Sequence, residues 1–134
     1  MSIASSIAVS GMNVAALRLQ VSADNVANAL SDGPLPSSKN AENFPSAYIP
    51  LRVDQIDMVG GGTSATVGAV SPSYMPMFDP SAPYANGNGM VATPNVDLAS
   101  ETIQQILARY TFAANAQVVR VDMQMAATLF NITL

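Results

Sequence analysis

Carboxylate, hydroxyl, amide and guanidinium groups are the side chains of this 134-residue chain that could do chemistry, because it contains no histidine and no cysteine. A thiol nucleophile, a His-based triad and a metal site built on His or Cys are therefore excluded. Asp54 and Asp57 stand three residues apart without a partner base, which is typical of solvated charges at a sheet edge. Asp79 precedes Pro80 and favours a turn. We predict no catalytic residue, metal ligand, cofactor or small-molecule substrate, and a glycan hydrolase would need a cleft that the sequence does not predict.

The charge balance excludes two further classes of partner. Five basic residues against nine acidic ones give a net charge of −4. Phosphate groups are bound by clustered Lys and Arg, so the absence of any such cluster predicts no nucleic acid and no anionic membrane surface as partners. Charged residues make up only 10% of the chain, against about a quarter in ordinary globular domains. We infer that protein partners cover much of the surface; a surface rich in Ser, Thr, Asn and Gln is the alternative.

The two ends of the chain carry helical patterns and the middle does not. Residues 31–96 hold all nine prolines and seven of the eight glycines. We therefore divide the chain into an N-terminal helix at 1–30, a Pro/Gly-rich middle region at 31–96 with a short β-hairpin, and a C-terminal helix at 97–134. The predicted fold class is mainly α. The terminal helices pair as an antiparallel coiled coil, and the middle is a small β-hairpin and extended region.

Apolar side chains recur at helical spacing in both ends. The N-terminal stripe comprises Ile3, Ile7, Val14, Leu17 and Val21. The C-terminal stripe runs for about eight turns and comprises Ile103, Leu107, Tyr110, Ala114, Val118, Val121, Met125, Leu129 and Ile132. An amphipathic helix packed on its own domain is one interpretation of the first stripe. Its nearly uncharged outer face favours neighbouring subunits instead.

The middle region predicts one hairpin followed by an extended arm. Residues 48–59 and 65–71 are strand-like and flank a run of three glycines, which lacks the lysine and helix start of a phosphate-binding loop. Residues 72–94 contain five prolines, too many for a helix or a central strand, so we expect an extended arm pinned by its aromatic and methionine side chains. Asn95 or Asp97 can then cap the second helix.

Three short motifs, in this order, resemble those of a known family. The run SADNVANA at residues 22–29 is similar to an Asn- and Ala-rich motif that ends the first helix. FDPS at 78–81 with GMVATPNVD at 89–97, and RYTFAAN at 109–115, resemble two later motifs. The chain resembles the bacterial flagellar basal-body rod proteins in these motifs, in the spacing between them and in its total length. Within that family it is most similar to the short protein of the proximal rod. The departures from the family's motifs are Asp24, the run Leu30-Ser31-Asp32 after the first motif, Ala82, Met90 and Phe112.

The resemblance implies a structural subunit of the rod, which spans the periplasm and transmits torque. It implies polymerisation through the terminal helices. The implied partners are copies of itself, other flagellar rod proteins and the flagellar type III export apparatus. The first residues lack the basic region of a signal peptide, which agrees with export without a cleaved leader. A cytoplasmic helical adaptor or secretion chaperone, and a different flagellar rod subunit, are the alternative functions.

The stripes and the motifs together predict an assembly interface. Asn25, Asn28 and Asn115 could fix the helix register through buried amide hydrogen bonds, or could serve as caps and solvated residues. The predicted interface residues are Ile7, Val14, Leu17, Val21, Asn25, Asn28, Pro94, Asn95, Asp97, Leu107, Tyr110, Phe112, Asn115, Val121 and Leu129.

Overall fold

The chain begins and ends with a long helix, and two small β-hairpins lie between the helices in the sequence. A computed structural model describes residues 2–39 and 41–132. The elements in chain order are α1 (Ile3–Ala27), a short 3₁₀ turn (Ala41–Asn43), β1 (Leu51–Asp57), β2 (Thr63–Ala69), β3 (Tyr74–Phe78), β4 (Met90–Pro94) and α2 (Leu98–Ile132). The mainly helical fold class is confirmed. The predicted helical ranges also include Met1, Thr133 and Leu134, which lie outside the described residues.

Side-chain caps set where the helices begin and end. The Ser2 hydroxyl accepts a hydrogen bond from the Ser5 N–H at 3.1 Å and starts α1. The Asp97 carboxylate accepts from the Ala99 N–H at 3.0 Å and starts α2. Of the two candidate caps for α2, Asp97 is therefore the one used, because a carboxylate at this position satisfies an N–H that has no partner within the helix.

The helices lie side by side in opposite directions. The hydroxyl groups of Ser2 and Ser5, at the start of α1, donate to Asp122 near the end of α2. At the other end of α1, Ser22 donates to the backbone carbonyl of Glu101 at 3.1 Å. The buried residues of α1 are mostly small, and α2 contributes Ala108, which is 2% exposed. Small side chains let the two backbones approach closely.

The first hairpin is the one that the sequence predicts. β1 and β2 pair antiparallel from Leu51↔Ala69 to Asp57↔Thr63. The connecting glycines, Gly60–Gly62, have positive φ values of 97°, 97° and 89°, a conformation that favours glycine. The first hairpin packs against α1. Near the turn of the hairpin, the Thr63 N–H donates to the Ser10 hydroxyl of α1 at 3.0 Å.

The predicted extended arm is instead a second hairpin. β3 and β4 pair antiparallel from Tyr74↔Pro94 to Phe78↔Met90. Pro76 lies opposite Ala92, whose own N–H and C=O bond to Gly33 on the far side of β4. At this register Pro76 faces the free edge of the hairpin, where its missing N–H removes no ladder bond. The prediction of an extended arm, which was based on the number of prolines, is therefore wrong for this stretch.

The core is too small for the number of large apolar residues. Prolines aside, the described residues include seven buried apolar side chains, and four of them are alanines: Ala8, Val14, Ala15, Val21, Val91, Ala92 and Ala108. In the same part of the chain, twenty-six large hydrophobic residues are exposed. Monomeric soluble proteins rarely leave so much apolar surface in water. None of the described helices is long and apolar enough to span a membrane.

Gly33 provides a test of the packing between the loop after α1 and residues 45–47, which precede β1. A Cβ at Gly33 would lie 2.3 Å from the backbone nitrogen of Ala47, whereas a Cβ at Gly87 would meet no atom within 4 Å. We expect Gly33→Ala to lower the free energy of unfolding by about 1–3 kcal/mol. Gly87→Ala, the matched control, should change it by less than about 0.5 kcal/mol. Urea unfolding followed by circular dichroism measures both, and equal effects would contradict the described packing.

Candidate assembly interface

Asn25 joins both helices to the first hairpin. Its side-chain oxygen accepts from the Leu51 N–H at 2.9 Å and the Tyr48 hydroxyl at 3.0 Å. Its amide nitrogen donates to the Leu51 carbonyl at 2.8 Å and to Glu101 Oε1 at 2.7 Å. The amide thus pairs with Leu51 much as a neighbouring strand would, and every hydrogen-bonding position of the side chain is used. Asn25 is 1% exposed.

Tyr48 adds a second side chain to this junction. Burial raises the pKa of the Tyr48 hydroxyl, and the charges of Asp24 and Glu101 raise it further. A tyrosine hydroxyl is protonated at neutral pH even without such a shift, so the Tyr48 hydroxyl can donate to Asn25. Sequence reasoning proposed a register role for Asn25 but did not single out Tyr48, because an isolated tyrosine in a loop carries no periodic signal.

Asn28 and Asn115 make local contacts. The Asn28 amide donates to the Asp24 carbonyl at 2.9 Å and closes the end of α1. Asn115 donates to the Thr111 carbonyl at 2.9 Å within α2. It also lies against Gly11, where a Cβ would come within 2.8 Å of the Asn115 amide nitrogen. Among the described residues, the side-chain hydrogen bonds of Asn25 join separate elements, whereas those of Asn28 and Asn115 stay local.

The other end of the helix pair is held by a carboxylate. The Asp122 side chain accepts from both the Ser5 and the Ser2 hydroxyl groups, the latter at 2.7 Å. These two hydrogen bonds, that of Ser5 first, lower the pKa of Asp122 below its usual value of 3.8. No sequence pattern marks this contact, because the residues lie about 120 positions apart.

The Asp122 contact makes a pH-dependent prediction. Because its pKa is lowered in the folded chain, the stabilisation is complete above the unfolded-state value near 3.8 and is lost as the pH falls through the lower folded value. We expect Asp122→Asn to melt below the wild type at neutral pH. The difference should shrink as the pH falls below 3.8 and vanish once the carboxyl group is protonated in both the folded and the unfolded chain. Melting temperatures across this range measure it, and a difference that persists in acid would contradict the role of the ionised carboxylate.

The predicted C-terminal stripe flanks the face of α2 that contacts α1. We call Ile103, Leu107, Tyr110, Ala114, Val118, Val121, Met125, Leu129 and Ile132 the outer stripe. Its eight large members are exposed by 40% at Val121 to 75% at Ile132. The α2 residues that bond to α1 or pack against it, Glu101, Ala108 and Asp122, lie on the neighbouring face. Leu107 and Val121 lie at the edge of that contact, since each lines a groove that α1 also lines. The contact between the helices therefore leaves every large member of the outer stripe at least 40% exposed.

The remaining predicted interface residues divide by burial. Val14 and Val21 are each 6% exposed and lie where α1 meets the first hairpin. Ile7 is 39% exposed, Leu17 is half-buried and Phe112 is 42% exposed. Burial places the two valines in contacts within this chain, while Ile7 and Phe112 remain accessible to a neighbour.

The segment that leads into α2 is occupied by contacts within the chain. Pro94 is buried at the end of β4. The Asn95 amide donates to the Pro72 carbonyl at 2.9 Å, and Asp97 caps α2. These three residues position α2 relative to the second hairpin.

Comparison with known proteins gives consistent matches along most of the chain. The chain is 30% identical to the flagellar basal-body rod protein FlgC of Agrobacterium fabrum over 132 residues, which cover 98% of this chain and 94% of the relative. It is 32% identical to FlgC of Buchnera aphidicola subsp. Baizongia pistaciae, covering 87% of this chain and 85% of that one. It is 31% identical to FlgC of Salmonella typhimurium, and the aligned residues cover 84% of this chain and 82% of that relative. No protein-family model matches the chain.

These relatives agree with the motifs quoted above and extend beyond them to both helices. Each alignment spans more than four-fifths of both proteins. The chain belongs to the FlgC family of flagellar basal-body rod proteins.

Proposed function

We propose that this chain is a structural subunit of the proximal rod of the flagellar basal body and polymerises through its terminal helices. The observation that supports this most is the outer stripe, whose large side chains stay 40–75% exposed along α2 while α1 packs mainly on the neighbouring face. A helix that pairs through small and polar residues and leaves its large apolar residues partly exposed is suited to contact neighbours. Membership of the FlgC family supports the flagellar basal-body rod as the assembly that supplies these neighbours.

Burial of the outer stripe supplies the driving force for assembly. Removing a large aliphatic side chain from water contributes about 1.5–3 kcal/mol, and the stripe has eight large members. Inside the isolated chain the buried apolar residues are few and small. Each helix pair therefore gains more apolar contact from its neighbours than it makes by itself, and in the polymer we expect the pair to pack as an antiparallel coiled coil.

The Asn25 junction suits a part that transmits torque. The junction ties α1, α2 and the first hairpin together through four hydrogen bonds. Networks of satisfied buried hydrogen bonds rigidify the elements that they join. A force applied to the hairpin is thereby passed to the helix pair, and so to neighbouring subunits.

The partners and location follow from this function. The partners are copies of the chain, other flagellar rod proteins and, before assembly, the flagellar type III export apparatus. The site of action is the part of the basal body that spans the periplasm. The role is structural and needs no cofactor or catalytic residue.

Gene deletion and complementation in the source bacterium test this function. Deletion should abolish swimming and leave basal bodies without a complete rod, and re-expression of the chain should restore both. Electron microscopy of isolated basal bodies and a swimming assay are the readouts. A deletion strain with normal rods and motility would contradict the proposal and favour the helical adaptor.

A further inference from the structure

The end of α2 projects beyond the start of α1. Asp122 lies beside Ser2 and Ser5 at the beginning of α1, and Met125 still shares a groove with Ala4, so residues 126–132 extend past the start of α1. We call these seven residues the overhang; at 1.5 Å per residue they span about 10 Å. The overhang carries no charged residue. Leu129 is 66% exposed and Ile132 75%.

An apolar groove lies nearer the opposite end of the same helix pair. Its volume is about 490 Å³, and it is lined by Ala15, Ala16, Leu19, Ile106, Ala108 and Phe112, among others. The three alanines leave room between the helices, and the larger side chains stand at the sides. Leu19 is 45% exposed and Ile106 49%. The groove therefore offers apolar surface that this chain leaves uncovered.

The charges of the two surfaces are complementary. Arg109 stands at the groove and is exposed. It makes no ion pair or hydrogen bond with any residue that the structure describes. The carbonyl groups at the end of a helix carry a negative partial charge, and the last turn of α2 has no basic residue to match it. A docked overhang would bring that charge towards Arg109.

We propose that the overhang of one copy docks in the groove of a second copy. This inference rests on the proposed function and names the contact between copies. The same chain cannot make it, because Leu129 lies 23 residues along α2 from Ile106, about 34 Å away at helical rise. The two surfaces differ and lie at opposite ends, so the contact is heterologous and leaves a free overhang and a free groove at the ends of each chain of subunits. Such contacts propagate rather than close into a dimer.

Disulfide trapping in assembled basal bodies tests the contact. The chain has no native cysteine, so Leu19→Cys and Leu129→Cys can be introduced together and oxidised with diamide. We expect a ladder of chain-to-chain disulfides, because each copy carries both partners. Either substitution alone should give no ladder. Leu19→Cys with Val59→Cys is the matched control pair, since Val59 is fully exposed at the tip of the first hairpin and should give no ladder either.

Arg109 supplies a second readout in the double-cysteine background. Arg109→Gln should reduce the trapped fraction about two- to fivefold, the range expected for a charge near a helix terminus. Arg120→Gln is the control: Arg120 is an exposed arginine on the same helix, outside the groove, and should leave the fraction unchanged.

Failure of this inference is distinguishable from failure of the proposed function. Basal bodies that contain the double-cysteine chain without a ladder, or with disulfides only to a different rod protein, would overturn docking between copies and leave the proposed function standing. Absence of the wild-type chain from basal bodies would overturn both.

Discussion

Asn25→Leu should remove a large part of the stability of the isolated chain. The leucine would leave the N–H and C=O of Leu51, and the Tyr48 and Glu101 side chains, without the partners that Asn25 now supplies. Each buried polar group left unsatisfied costs about 1–3 kcal/mol, so we expect a loss of at least about 3 kcal/mol. Single domains are stabilised by only about 5–15 kcal/mol in total. Urea unfolding of the purified chain, followed by far-ultraviolet circular dichroism, measures the loss.

Asn28→Ala is the matched control for this change. Asn28 is the same residue type three positions along α1, but its side chain bonds only to Asp24 and Ser31 nearby. Its replacement should cost about 1 kcal/mol or less. Comparable losses for the two variants would contradict the role of Asn25 as the junction of α1, α2 and the first hairpin.

Leu107→Asp should prevent the chain from entering the rod. Leu107 lies in the outer stripe and is 49% exposed, so an aspartate there remains solvated in the free chain. A neighbour that covers the stripe would have to bury the carboxylate without a partner, which is strongly unfavourable. We expect the amount of variant in purified basal bodies to fall at least about tenfold, which corresponds to 1.4 kcal/mol. Quantitative mass spectrometry, normalised to the cellular level of the chain, measures it.

The control for Leu107→Asp carries the same new charge on another face of α2. Gln124 is exposed and lies outside the outer stripe, so Gln124→Asp should enter the rod at close to the wild-type level. Circular dichroism of both purified variants checks that the helices still form. Normal incorporation of Leu107→Asp would show that the outer stripe is not an assembly surface.

Helical periodicity located both helices but not the face through which they pair. The large residues of α2 recur at helical spacing, and such a stripe usually marks the side of a helix that faces its own core. Here the contact uses Ser5, Ala8, Ala15 and Ala108, whose small side chains carry little hydrophobic signal. An assembly subunit divides its apolar residues between its own core and its neighbours, and the sequence of one chain does not separate the two.

The second hairpin shows the limit of counting prolines. Pro76 and Pro94 both stand at register positions where β3 and β4 exchange no hydrogen bond, so neither interrupts the ladder. That register depends on Gly33, which joins β4 from a distant part of the chain. Contacts such as Gly33 with Ala92, or Asp122 with Ser5, follow from tertiary structure and leave no local pattern.

The most direct test of the account is whether the chain is present in the rod. We would tag the protein in its source bacterium, purify detergent-extracted basal bodies and identify their components by mass spectrometry. The account predicts that the chain is enriched together with the rod and ring proteins. Recovery of the chain in the soluble cytoplasm, with basal bodies complete without it, would contradict the account.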